Sequence, residues 1–500
     1  MCLLQVNERN AMNETNTVQI KQNELSFILV LLSLTAIMIM FTESMLIPAL
    51  PTLQAEFNTT ATWASWILSI YLVAGAVATP IFGKLGDTYG KKKLLVVCMS
   101  LYTCGVILNG FAWNIQSLLA FRALQGLGMG IFPLAWGLIR DEFPPEKVAM
   151  STGIISAMFG VGTAIGLVIG AWICENYGWR MTYHTVIPLA IGVTLLAFYN
   201  LQESPIRNPS RIDVIGATTF SIAILTLLVA MTEGERWGWT SLNTLGLMAI
   251  SFVFIALFVL VERRVHDPMI DLAVLSKRNV FVTNIAAFVV GMGMFMMFQS
   301  ITYLARMPAP IGFGSSIFEA GLLQVPSSIV MLAVGPLAGR IVSKRGAKLP
   351  VVIGSIVLSI SFYFIYVFHY TQVQVVLGLM FMSVGMGLVM VSMINIVIQS
   401  VSQFETGIAT AMNSIFRTIG GVIGPTIAGV FLAQYVTPLV IQTSRGPVMG
   451  PLIPNATAFN YIFLTALGVS LVGVLVTLLI KGKGAEIELQ RPVEEATPEV

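Results

Sequence analysis

Residues 80–93 read Pro80-Ile-Phe-Gly-Lys-Leu-Gly-Asp-Thr-Tyr-Gly-Lys-Lys-Lys93, and 256 positions later residues 336–348 read Pro336-Leu-Ala-Gly-Arg-Ile-Val-Ser-Lys-Arg-Gly-Ala-Lys348. In each copy a glycine (Gly83, Gly339) precedes a basic residue (Lys84, Arg340). A second glycine follows seven positions on (Gly90, Gly346), and further lysines or arginines close the segment. The pattern predicts a tight, positively charged hairpin on glycine turns between two membrane spans. Its recurrence at a fixed offset predicts a duplicated chain, a design that secondary transporters use.

The composition agrees. Hydrophobic residues make up 56% and charged residues 10% of the 500, and the mean hydropathy is +0.85, which excludes an ordinary soluble domain. Runs of about 20 apolar residues, each able to cross a hydrocarbon core of roughly 30 Å, are expected near 26–48, 63–83, 93–112, 115–139, 148–172, 181–201, 212–231, 242–261, 280–304, 318–342, 349–369, 372–399, 407–434 and 458–480. Gly128-Met-Gly130 recurs as Gly385-Met-Gly387, and Gly162 and Gly166 recur as Gly420 and Gly424, so six spans match six. The expected plan is an all-α polytopic membrane protein. It has a tail (1–24), a six-helix bundle (25–201), an inserted hairpin with its linkers (202–279), a second six-helix bundle (280–480) and a second tail (481–500).

With both termini inside, 21 of the 27 lysines and arginines fall on the cytoplasmic side, as positively charged loops require. The net charge of +3 therefore reflects topology and points to no nucleic acid. The polar N-terminal tail lacks the apolar core of a cleaved signal peptide. Cys2, Cys98, Cys104 and Cys174 share no metal spacing. His184, His266 and His369 are isolated, and no cofactor or metal is expected. No phosphate-cradling Gly-x-x-x-x-Gly-Lys-Ser/Thr motif and no Ser-His-acid set can be assembled, which argues against ATP use and against an enzyme.

Gly83-Lys-Leu-Gly-Asp-Thr-Tyr-Gly-Lys-Lys92 resembles the loop signature of the major facilitator superfamily. Arg122-Ala-Leu-Gln-Gly-Leu-Gly-Met-Gly130 is similar to that superfamily's fourth-span motif, and Pro48-Ala-Leu-Pro51 to the end of its first-span motif. Asn413-Ser-Ile-Phe-Arg-Thr-Ile-Gly-Gly421 resembles span thirteen of the fourteen-span drug/proton antiporter branch. The resemblance implies two pseudo-symmetric six-helix bundles plus an inserted two-helix hairpin. It also implies proton-coupled export of hydrophobic, often cationic, small molecules across the plasma membrane, with the lipid bilayer and accessory efflux proteins as further partners. The sequence departs from the family pattern at two points. Leu167 follows Gly166 where the antiporter motif has proline, and Thr42 occupies the position of the usual first-span acid, with Glu43 beside it. The missing proline favours an alternative, proton-linked transport of a specific metabolite or nutrient. A non-transporting membrane sensor is a third, remoter reading.

Glu43 is the one carboxylate well inside an expected span, and such groups are costly in lipid unless paired or hydrated. Counted from the outer ends, Glu43 and Arg122 share a depth, so the pair is expected to couple proton movement, with Arg122 as a helix brace the competing role. The resemblance assigns a gate to the loop. Asp87 is expected to cap a helix near Thr406-Gly407 and to meet Arg140, with Gly83, Lys84, Gly86, Gly90 and Lys91 forming the turn. Gln125, Gln299, Gln324 and Asn395 are cavity candidates or helix-to-helix hydrogen-bond partners. Arg417 is expected to pack against polar neighbours such as Asn413 or to hold an anion.

Overall fold

The computed structural model describes residues 25–203, 213–265, 268, 272–401, 406–443 and 446–481. The expected tails, the linker prolines Pro205 and Pro209, His266 and the side chains of Asp87, Thr406 and Gly407 lie outside what is described. Among the described residues, fourteen helices are long and apolar enough to cross a membrane: Leu25–Glu56, Trp63–Gly86, Lys91–Gly110, Ile115–Glu142, Gly153–Tyr177, Trp179–Asn200, Val214–Met231, Leu242–Glu262, Arg278–Arg306, Ile317–Arg345, Lys348–Val367, Gln372–Gln399, Met412–Gln434 and Ala456–Leu478. They are numbered here as spans 1 to 14.

Spans 1–6 and spans 9–14 form two bundles. Span 4 packs against spans 2 and 3, and span 3 against span 6. In the second bundle span 9 packs against spans 13 and 14, and span 12 against spans 10 and 11. The bundles meet where span 2 lies along span 13 and span 5 along span 10. Spans 7 and 8 pair with each other, and span 7 leans on spans 2 and 13 at this seam.

Glycines set the closest crossings inside each bundle. A Cβ at Gly162 would come within 2.6 Å of the Ile37 carbonyl oxygen, and one at Gly166 within 2.6 Å of that of Phe41, so span 5 rides on span 1. In the second bundle Cβ atoms at Gly420 and Gly424 would fall on the carbonyl oxygens of Phe288 and Met292, so span 13 rides on span 9 in the equivalent way. In lipid, where apolar surface gains little by leaving its surroundings, close backbone packing of this kind is itself a source of association energy.

Four described spans are irregular: span 4 carries a 3-10 turn at Gly128–Gly130, span 10 is interrupted between Leu322 and Val325, and spans 1 and 5 depart further. Span 1 is helical over 25–44, turns at 45–46, and continues as a 3-10 turn Ile47–Ala49 and a short helix Leu50–Glu56. Pro48 and Pro51, which donate no backbone hydrogen bond, fall in this break, and the span extends past the expected end at 48. Span 5 carries one π-helical turn at Gly166–Gly170, where the family pattern has its proline.

The loop signature contains one turn glycine per copy. The helix of span 2 runs unbroken over Ala61–Tyr89, so Gly83 and Gly86 are helical and face Pro133 and Leu134 of span 4. The chain breaks at Gly90, with φ of 114°, and span 3 starts at Lys91. In the second copy the helix ends at Arg345 and Gly346 has φ of 78°. The expectation of two glycine turns is thereby corrected: Gly83 and Gly339 lie within helices, and only in the first copy do the helical glycines face a neighbouring span.

Glu203 closes this corner. Its carboxylate accepts from the backbone N–H groups of Lys92 and Lys93 at 3.1 and 3.2 Å, where unsatisfied donors and the helix dipole favour an anion. A Cβ at Gly90 would lie 2.5 Å from Glu203 Oε1. Gly90→Ala is expected to combine backbone strain of about 1–3 kcal/mol with a displaced cap. Gly346→Ala, which meets open space, keeps only the strain. Thermal-shift measurement on detergent-purified protein should show the larger loss at Gly90. Beyond the helices, β1 (Val436–Thr443) and β2 (Gly446–Pro454) form an antiparallel hairpin between spans 13 and 14, an addition to the all-α expectation.

Candidate transport site

Arg122 is fully buried in span 4 and organises a polar knot among spans 1 to 4. Its Nε donates to the Ile67 carbonyl at 3.0 Å, and its Nη1 donates to the Thr42 carbonyl at 3.5 Å and to Gln125 Oε1 at 3.4 Å. Its guanidinium carbon lies 5.2 Å from the centre of the Tyr71 ring, a cation–π distance. Asn109 of span 3 donates to the same Gln125 oxygen at 3.0 Å, and the hydroxyls of Thr42 and Tyr102 are hydrogen-bonded. Arg122 therefore makes no ion pair with Glu43. It braces span 1 through the carbonyl of the preceding residue. Tyr71, Tyr102 and Asn109 complete the knot, and their sequence signal was a hydroxyl or amide in the middle of an apolar span.

Glu43 occupies the last helical turn before the break in span 1 and is nearly buried. Among the described residues it makes no hydrogen bond or ion pair. The cationic charges that act on it are those of Arg417 on span 13, first, and of Arg122, second. Arg417 likewise forms no hydrogen bond or ion pair among the described residues, and it lines a cavity of about 320 Å³ between the bundles. The cavity's walls come from spans 4, 5, 12 and 13, and it extends to Arg140 and Val148 at the ends that bear the basic loops. A smaller void of about 40 Å³ continues past Arg417 toward Met40 and Phe298.

Neither cavity is lined by Gln125, Gln299, Gln324 or Asn395. Each amide makes a hydrogen bond elsewhere, although Gln125 Nε2, Gln299 Oε1 and Gln324 Oε1 are buried without a partner. Gln299 donates to Ser65 at 2.8 Å, Gln324 to Thr302 at 3.2 Å and Asn395 to the Val391 carbonyl of its own helix at 2.8 Å. Asn413 bonds span 9, through the Thr283 carbonyl and Asn284, and leaves Arg417 alone. At the basic ends Lys91 is buried and ion-paired with Asp141, which also holds Arg140 at 3.4 Å. Lys84 donates to the Pro268 carbonyl at 3.3 Å.

The Major Facilitator Superfamily family model matches residues 32–425 and, in a second match, residues 283–500. The chain belongs to this superfamily. Among characterised relatives it is 28% identical over 369 residues to the multidrug transporter protein MdtP of Bacillus subtilis, covering 73% of this chain and 68% of that protein. It is 27% identical over 395 residues to the tetracenomycin C resistance and export protein of Streptomyces glaucescens, covering 77% and 72%. The human organic anion transporter MFSD10 has the same fold, with a TM-score of 0.64 at 15% identity, over 91% of this chain and 99% of that one. The protein is thus a multi-pass membrane transporter of small molecules.

As a major facilitator protein, the chain is closed at the end opposite its basic loops. There the two bundles are hydrogen-bonded to each other: Gln299 to Ser65 at 2.8 Å, Tyr303 to Gln54 at 3.0 Å, Arg306 to Thr52 at 3.2 Å, and the Phe318 N–H to Glu175 at 2.7 Å. Gly321 presses on the Leu167 carbonyl beside them, within the π-helical turn. Gln299 is thereby a closing residue, which sequence reading could not separate from a cavity residue, since both roles call for a polar group inside a span.

Proposed function

We propose that this transporter exports hydrophobic small molecules across the plasma membrane in exchange for protons, with both termini cytoplasmic and the basic loops facing the cytoplasm. The observation that carries the reading is the cavity between the two bundles, which reaches the basic ends while four cross-bundle hydrogen bonds close the opposite end. That is an inward-facing arrangement, and rocking the bundles about spans 2, 5, 10 and 13 would reverse it. The resistance and export named for the Streptomyces glaucescens relative support the direction. Asp87 and Arg140 remain the proposed cytoplasmic gate, Glu43 the proton-coupling group and Arg122 its structural brace.

Inverted membrane vesicles with an internal proton load and a pH-sensitive dye test this reading. Addition of lipophilic compounds from a panel spanning anions, cations and neutral molecules should release protons from vesicles carrying the protein and not from empty ones. A response confined to a strongly polar metabolite would instead identify a specific metabolite carrier, the reading that Leu167 after Gly166 favours.

A further inference from the structure

Among the described residues, the walls of the larger cavity carry two positive charges, Arg140 and Arg417, and no negative one. Arg140 is held by Asp141, whereas Arg417 makes no ion pair or hydrogen bond among the described residues. The remaining polar side chains are short or already engaged, as Asn413 is with span 9. Opposite Arg417 the surface is aromatic: Phe132 and Phe159 meet edge to face at 5.3 Å, with Trp136 beside them. A guanidinium half out of water, with its donors free, is an acceptor-seeking group, and its planar fork matches a carboxylate or sulfonate. Glu43 reaches Arg417 only through space and lines neither void, so it leaves those donors open.

We infer that the central cavity takes an amphipathic organic anion, with its acid group on Arg417 and its apolar body against Phe132, Trp136 and Phe159. A lipophilic cation of the same shape would meet the unpaired Arg417 guanidinium and, among the described wall residues, no carboxylate, an arrangement that disfavours it. The volume of about 320 Å³ suits a one- or two-ring body. The inference rests on the cavity's being the transport path proposed above, and it refines the charge of the cargo, for which the family resemblance suggests cations.

Equilibrium dialysis of the full-length protein in detergent against three probes of one shape tests it: 2-naphthylacetate, 2-(2-naphthyl)ethanol and 2-(2-naphthyl)ethylammonium. The acetate should bind about tenfold or more tighter than the alcohol, the gain expected of a charged hydrogen bond, and the ammonium weakest. Arg417→Gln should erase the preference while keeping the alcohol's affinity, which reports an intact cavity, and Arg417→Lys should retain part of it. Equal binding of the three, preference for the ammonium, no binding of the acetate, or a preference surviving in Arg417→Gln would overturn the inference. Flux is read separately in vesicles: acetate binding without flux refutes the transport path while leaving the anion site in place.

Discussion

Glu43→Gln is expected to reduce proton-driven transport to the background of empty vesicles while the protein still inserts and elutes as a single species. The substitution keeps shape and volume, so packing around span 1 is preserved. What it removes is a carboxyl group that can exchange a proton, held without any hydrogen bond or ion pair among the described residues, one turn before span 1 breaks. Glu43 belongs to one bundle and Arg417, the first of the cations acting on it, to the other. Any rocking of the bundles therefore changes the distance between these two charges, and with it the energy of the ionised carboxylate. For unit charges at an effective dielectric of about 20, widening a gap from roughly 6 to roughly 12 Å changes the energy by about 1.4 kcal/mol, about tenfold in an equilibrium. That is enough to link proton occupancy to conformation without locking either state. Substrate-driven dye recovery and its pH dependence in vesicles check the result. A Glu43→Gln variant with the wild type's pH dependence would remove Glu43 from the coupling mechanism.

The sequence disclosed what depends on composition and period, and it concealed what depends on which helix is next to which. Span positions were legible because each is a long apolar run, and most ends agree within a few residues. Span 1 is expected to end at 48, whereas the chain turns at 45–46 and continues as helix to Glu56. Gly83 and Gly86 look like turn residues beside lysines, yet both are helical and Gly86 leaves room for Leu134. The depth argument that matched Glu43 to Arg122 located both side chains in one region but could not reveal that two backbone carbonyls and Gln125 occupy the arginine. Arg417, with no acid anywhere near it in the chain, gave no sign of being the stronger partner. That relation exists only where span 13 of one bundle faces span 1 of the other.

Gly420→Ala is expected to cost most of the folded protein, because the added methyl group would land on the Phe288 carbonyl oxygen, a backbone atom that no rotamer change can move. Overpacking of a tight interior typically costs about 1–3 kcal/mol, and here relief requires span 13 to lift off span 9 along its length. The same movement would open the crossing of Gly424 over Met292 and the reciprocal one of Gly291 under the Arg417 carbonyl. Packing and function meet at this point, since the backbone that carries the Arg417 guanidinium into the cavity is the backbone seated on Gly291. Gly335→Ala in span 10, where a Cβ meets nothing within 4 Å, supplies the matched control and should express and elute normally. Fluorescence-detected size exclusion compares the two. Equal yields would mean that span 13 is not held against span 9 by backbone contact, and that some looser packing positions Arg417.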